Sequence, residues 1–348
     1  MPSSFSPYVK LLPEGRRPSL LEKRLDNLKV FATLLVVLGH VGVFYSGLGV
    51  LEFPEQPGIK IMTWLVYSFH MPLFFFISGV IYGICIGKGK YGDVRIFVGK
   101  KVKRLLVPYL FWGIVVVTPV MELLGFTEDG VGRYVVGGIL LGRNNRHLWY
   151  LLSLFCMFVV TDAIRRVVKN RKVWWVVLGI AAVAAILYNH APGIFNIGST
   201  TRCWVYFIAG VLLEMKGILR KEPSKRIAIP VVVIGADILC GWSVLGSFND
   251  TLQRLVVSSI GIVICFLISG LAGPLPEGSF YQIFHRDSFG IYLAHPMIIY
   301  ILMSLVWRYG RGISGLIIVP IVFIVALGAA TGVTELIRKI QLSFVIGE

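Results

Sequence analysis

Residues 25–40 read LDNLKVFATLLVVLGH, an apolar run that can begin a membrane-spanning helix yet carries a basic residue at its start and an imidazole at its end. At ~100° per residue, the eleven positions from Lys29 to His40 make about three whole turns, so the two side chains share one helix face ~16 Å apart. Asp26 falls on the same face. An ionisable group at membrane depth is unfavourable without a partner, which marks His40 as a candidate site residue. The plainer alternative is a lysine snorkelling at the interface and a histidine bonded to a backbone carbonyl.

Around this stretch the chain is apolar nearly throughout. Its 348 residues are 56% hydrophobic and 15% charged, with a mean hydropathy of +0.78, whereas soluble domains carry roughly a quarter charged residues. Runs of roughly 17–25 apolar residues are the signature of spanning helices. They fall at about 29–49, 62–86, 104–125, 147–164, 173–189, 201–215, 228–246, 254–271, 288–307 and 314–336, the sixth being short and interrupted by Gly210. The expected fold is therefore an all-α integral membrane protein, a bundle of about ten transmembrane helices in a single domain over 1–348. Polar tails at 1–28 and 337–348 flank it. The alternating short strands of a membrane β-barrel are absent from the pattern.

Charge orients the bundle. With the N-terminus inside, 26 of the 34 Lys and Arg fall in cytoplasmic tails and loops and 8 in outer ones, the positive-inside pattern with both termini cytoplasmic. The formal charge of +16 is then topology plus attraction to anionic membrane lipids, and no nucleic acid partner is expected. Residues 1–23 lack the apolar core of a cleavable signal peptide. The five cysteines sit within or at the ends of spans. Their spacing fits neither a zinc site nor a disulfide framework, so no metal is expected.

Several further strings carry chemistry-bearing residues. FHMPLFFFISG (69–79) brings His70 to the outer end of the second span, where it would meet His40 in an outward-facing cavity. The loop 87–104, GKGKYGDVRIFVGKKVKR, holds Lys88, Lys90, Lys101 and Arg104. Lys101 and Arg104 are three apart and neighbours on one helix face. They either anchor the span at the interface or grip a phosphate, Arg104 with a planar fork and Lys101 as a point charge. RHLWYLLSLF (146–155) places His147, Trp149 and Tyr150 at the outer face, as aromatic belt or as a platform for a sugar ring. SFGIYLAHPMIIY (288–300) puts Ser288, Tyr292 and His295 on neighbouring turns. Asp237 lies mid-span, and Arg202 and Glu122 lie nearer the outer boundary.

Taken in order, these strings resemble the acyltransferase-three family of integral-membrane acyltransferases, whose members include O-acetylases of cell-surface glycans. The resemblance rests on Lys29…His40 preceded by Leu25 and Asp26, on HMPLFFFISG, on the basic pair with RLLVPY (104–109), on HLWYL (147–151) and on SFGIYLAHP (288–296). It implies a ten-helix core in the bacterial inner (plasma) membrane that takes an acyl group, usually acetyl from acetyl-CoA, and delivers it to a hydroxyl of a glycan or glycolipid. It further implies catalytic roles for His40 and Lys29, with Asp26 and His70 beside them, and a donor site at Lys101 and Arg104 with Lys88 and Lys90. Acceptor contacts are then expected from His147, Trp149, Tyr150, Arg202, Tyr292 and His295. Many relatives add a secreted SGNH-type domain, and the stand-alone form is expected here. Two other classes fit the composition. One is a proton-coupled transporter of a small polar solute, with Asp237, His40 and His295 as relay; the other is a non-catalytic partner in polysaccharide assembly.

Overall fold

The computed structural model describes residues 19–127, 130–221, 224–245, 251–271 and 278–348, and all of their regular structure is helical. In chain order the helices are α1 (Leu20–Tyr45), α2 (Pro57–Gly87), α3 (Val94–Leu123), α4 (Val131–Leu140), α5 (Arg146–Val167) and α6 (Val173–Ile186). They continue with α7 (Ile197–Met215), α8 (Lys225–Leu245), α9 (Thr251–Leu271), α10 (Phe280–Gly310) and α11 (Gly315–Lys339). This is an all-α integral membrane protein. Among the described residues eight helices are long and apolar enough to cross a membrane, two fewer than expected. The fifth and sixth expected spans are both helical. However, α6 has 14 residues, about 21 Å at ~1.5 Å per residue, and α7 carries Arg202 and Glu214 within its 19 residues.

The stretch expected as a polar N-terminal tail is helical from Leu20 and packed from Leu21 onward; residues 1–18 lie outside the described residues. Ser19 caps α1 in a reciprocal capping box with Glu22, which satisfies two of the helix's orphan donors. Behind it, Glu22, Arg24, Asp26 and Asn27 are all buried. The far tail is also docked: Val345 and Ile346 are buried, and the Trp112 indole donates to the Val345 carbonyl at 2.9 Å. Between α3 and α5 lies the short helix α4, whose Ile139 side chain packs on Gly113 of α3.

Two glycines position the centre of the bundle. A Cβ on Gly79 of α2 would meet the Phe207 carbonyl oxygen at 2.1 Å, and one on Gly210 of α7 would meet the Phe76 carbonyl oxygen at 2.4 Å. The backbones therefore touch, as small residues allow between helices in lipid. Gly210 is the point where α7 seats on α2. In α3, π-helical turns at Val102–Leu106 and Trp112–Val117 precede Pro108 and Pro119. A proline cannot donate to the preceding turn, and the wider turn absorbs the missing bond.

Candidate active site

Two cavities open from opposite ends of α1 and share one wall. Near the Lys29 end, a cavity of 280 Å³ is lined by Lys29, Lys90, Lys100, Lys101 and Arg104 among apolar and aromatic side chains. Near the His40 end, a cavity of 570 Å³ is lined by His40, His70, His147, Trp149 and Arg202, with asparagines and further arginines. Tyr292 lines both, and its hydroxyl donates to the His147 carbonyl.

The first cavity is electropositive by construction. Among the described residues no aspartate or glutamate lines it. Lys101 is 9% exposed, with its ammonium 3.4 Å from the centre of the Phe158 ring and 5.4 Å from that of Tyr91. When protonated, such an ammonium is attracted by the ring quadrupoles around it. The turn carrying Lys90 and Tyr91 is clamped from α5. Buried Asp162 pairs with Arg165 and Arg166 at 2.7 Å each, and these guanidinium groups donate to the Tyr91 carbonyl (2.8 Å) and the Gly92 carbonyl (2.9 Å). The Tyr82 hydroxyl adds a bond to Asp162 at 2.8 Å. Burial pushes the Tyr91 phenol above its ordinary range, so it lines the cavity as a neutral ring.

The second cavity is organised by histidines whose tautomers follow from their partners. His295 Nδ1 lies 2.7 Å from the Ile291 carbonyl oxygen. A carbonyl only accepts, so Nδ1 carries the proton and the Nε2 of neutral His295 is an acceptor. His40 Nδ1 stands 2.8 Å from that Nε2 and must donate to it. His40 Nε2 is thereby left with a lone pair, on a ring that lines the cavity. The rings stack at 5.0 Å between centres, 15° from parallel.

His70 is set the same way, its Nδ1 donating to the Val66 carbonyl at 2.8 Å. Two residues on, Pro72 cannot donate to the Ser68 carbonyl, and the Ser258 hydroxyl of α9 takes that place at 2.5 Å. His147 Nε2 donates to the Leu293 carbonyl at 3.1 Å, leaving its buried Nδ1 without a partner. A buried acceptor of this kind is suited to an incoming hydroxyl.

Several expectations change. Asp26 lines neither cavity; its carboxylate stands 2.9 Å from His285 Nε2. Lys88 turns away from the basic cavity to pair with Glu22 at 2.7 Å. Tyr150 faces the basic cavity, against Ser78 at 3.1 Å, rather than the outer one. His295 is fully buried behind His40 and lines neither cavity; it meets His40 at 2.8 Å instead. Lys29 lines the basic cavity and not the histidine one. Asp237 is exposed on α8 and lines neither cavity, so it forms no relay with His40 and His295. His40, His70, His147, Trp149 and Arg202 do converge, as do Lys90, Lys101 and Arg104. Lys100, Asp162 and Arg254 went unmarked in the sequence. Lys100 had a signal in its adjacency to Lys101, whereas Asp162 and Arg254 look like ordinary span-end charges. Among the described residues no group of three or more His, Cys, Asp or Glu is arranged to hold a metal ion.

Comparison with known proteins identifies the family. Residues 22–335 match the model of an acyltransferase domain. Among curated proteins, the nodulation protein NolL of Sinorhizobium fredii (strain NBRC 101917 / NGR234) is 27% identical over 173 residues, 47% of this chain and 41% of that protein. The chain thus aligns with less than half the length of this relative. No solved structure matches. With its family model spanning nearly the whole bundle, both cavities included, the chain belongs to the acyltransferase-three family of membrane acyltransferases.

Proposed function

We propose that this acyltransferase moves a short acyl group, acetyl in the simplest case, from cytoplasmic acyl-CoA to a hydroxyl of a cell-surface glycan or glycolipid. In this reading it lies in the inner (plasma) membrane with both termini cytoplasmic, the Lys29 end facing in. The observation that carries the proposal is the shared wall at Tyr292, with a cationic cavity on one side and a lone pair on His40 on the other. The pyrophosphate and 3′-phosphate of coenzyme A suit a cavity of four lysines and one arginine. From there a pantetheine arm spans the ~16 Å along α1 to His40.

At His40 the chemistry follows from the tautomer. The Nε2 lone pair takes the proton of the acceptor hydroxyl as its oxygen attacks the thioester carbonyl. The C–S bond then breaks, and the same proton passes to the leaving thiolate. While protonated, His40 keeps Nδ1–H on neutral His295, which spreads the imidazolium charge through a bond chain ending on the Ile291 carbonyl. The same lone pair would serve if His40 first accepted the acyl group itself and then passed it on.

The test is binding of coenzyme A and acetyl-CoA to the purified full chain in detergent, beside Lys101→Ala/Arg104→Ala. Charge-assisted hydrogen bonds are worth about 1.5–3 kcal/mol each, so the double variant is expected to lose on the order of 100-fold or more in affinity. Equal affinity in the two proteins, or no binding by the wild type, would sink the proposal.

A further inference from the structure

The end of the bundle that carries few cations concentrates them in one place. Of the eight Lys and Arg assigned to outer segments, four arginines, Arg143, Arg146, Arg202 and Arg254, line the histidine cavity. Membrane topology does not ask for this, since the positive-inside bias favours the opposite face. Among the described residues no aspartate or glutamate lines the cavity. Like charges gathered in a partly dry space repel one another unless an anion joins them.

The backbone holds the arrangement under strain. Arg146 has φ +51° and Asn196 φ +52°, in the left-handed region that non-glycine residues seldom occupy. Both line the cavity. Asn145 ties the two strained segments together, donating to Asn196 Oδ1 at 2.6 Å and to the Tyr109 hydroxyl at 3.0 Å. Strain retained against such a bias is a mark of function. The Arg202 guanidinium is pre-oriented as well, 5.4 Å from the Tyr188 ring centre and 5.9 Å from that of Trp149. Guanidinium forks match the paired oxygens of carboxylates and phosphates.

We infer that the acceptor is anionic: the glycan or glycolipid that enters the histidine cavity carries a phosphate or carboxylate, which the arginines hold while a neighbouring hydroxyl faces His40. This names the acceptor class for the proposed transfer and rests on that reading. The phosphate of a lipid-linked sugar and the carboxylate of a uronic acid offer the same paired oxygens, and the probes below separate them.

The measurement is calorimetric binding to the full chain in detergent, in the Lys101→Ala/Arg104→Ala background so that the basic cavity does not compete. Three probes are compared: methyl glucoside, methyl glucuronide and glucose 1-phosphate. At least one anionic probe is expected to bind tenfold or more tighter than the neutral one, and its identity tells carboxylate from phosphate. Arg202→Gln and Arg254→Gln are expected to shrink that ratio toward one. Arg143→Gln, at the exposed rim, reports the same loss without disturbing a packed position. Equal affinity for all three probes would overturn the inference, as would a ratio untouched by all three arginine variants. Acetyl transfer from acetyl-CoA is followed separately with the wild-type chain. Anionic preference without any transfer would remove the acyl-transfer reading and with it the acceptor role, leaving the cavity as an anion-binding site of another kind.

Discussion

The basic cavity and the histidine cavity are built by different means. In the first, most of the cations are long side chains on a clamped turn and a π-bulged helix, and Lys101 lies over an aromatic face. In the second, each histidine is tied through one ring nitrogen to a carbonyl or to another histidine, so the free nitrogen has a defined state. A binding site tolerates adaptable point charges, because phosphates accept from many directions. A site that moves a proton needs one tautomer in one orientation. Substitutions in the two cavities should therefore fail differently, by affinity in one and by rate in the other.

The largest effect falls on the histidine side. His40→Ala removes the Nε2 lone pair and is expected to lower acetyl transfer by about 10³-fold or more, within the range of general acid–base contributions. Coenzyme A affinity should stay within about twofold. Turnover of the variant near the wild-type rate would break the comparison outright. The same pair of proteins separates base from relay. Acetyl label trapped on the wild-type chain in the absence of acceptor, and missing from the variant, marks an acylated histidine.

His295 comes next. Its neutral Nε2 is the acceptor that fixes His40, so His295→Ala should cost about 100-fold in kcat while KM for acetyl-CoA moves little. His295→Gln restores an acceptor near that position and should recover part of the rate. A merely structural role would give neither the kcat–KM split nor the rescue, and a loss confined to KM would refute the assignment.

That pairing shows what a sequence can carry and what it cannot. The face shared by Lys29 and His40 is written in local periodicity, and the structure keeps it, with one residue at each cavity. Periodicity reports which face a residue occupies but not what stands opposite. His295 is 255 positions from His40, and nothing in SFGIYLAHP distinguishes a histidine that bonds another histidine from one that lines a cavity. Asp26 looked like part of the His40 face because about four turns separate them, yet His285 claims it. Asp237 looked like a buried relay because its span is apolar on every side, and only packing reveals that α8 turns it outward. The ten apolar runs and the eight long apolar helices among the described residues differ for a related reason. Hydropathy marks α6 and α7 as apolar, while helix length and the placement of Arg202 and Glu214 emerge only on folding.

The smallest effect sharpens the basic side by setting two lysines of the same glycine- and lysine-rich segment against each other. In GKGKYGDVRIFVGKKVKR, Lys88 reads as a phosphate ligand and Lys100 does not stand out. Lys100 lines the cavity, whereas Lys88 is drawn to Glu22, a buried carboxylate already fixed by the Ser19 capping box. Moving Lys88 to a ligand would leave Glu22 buried with fewer partners, which opposes the swing. Lys100→Ala is therefore expected to weaken coenzyme A by roughly three- to tenfold, about the worth of one partly exposed ion pair. Lys88→Ala should change it by less than about twofold while lowering the melting temperature by a few degrees, because Glu22 loses its cation. Isothermal titration of both variants, with thermal unfolding alongside, reads the two quantities on the same samples. Were Lys88→Ala the more damaging to affinity, the loop would have to close over the donor in a second conformation, and charge within the cavity would no longer suffice to explain binding.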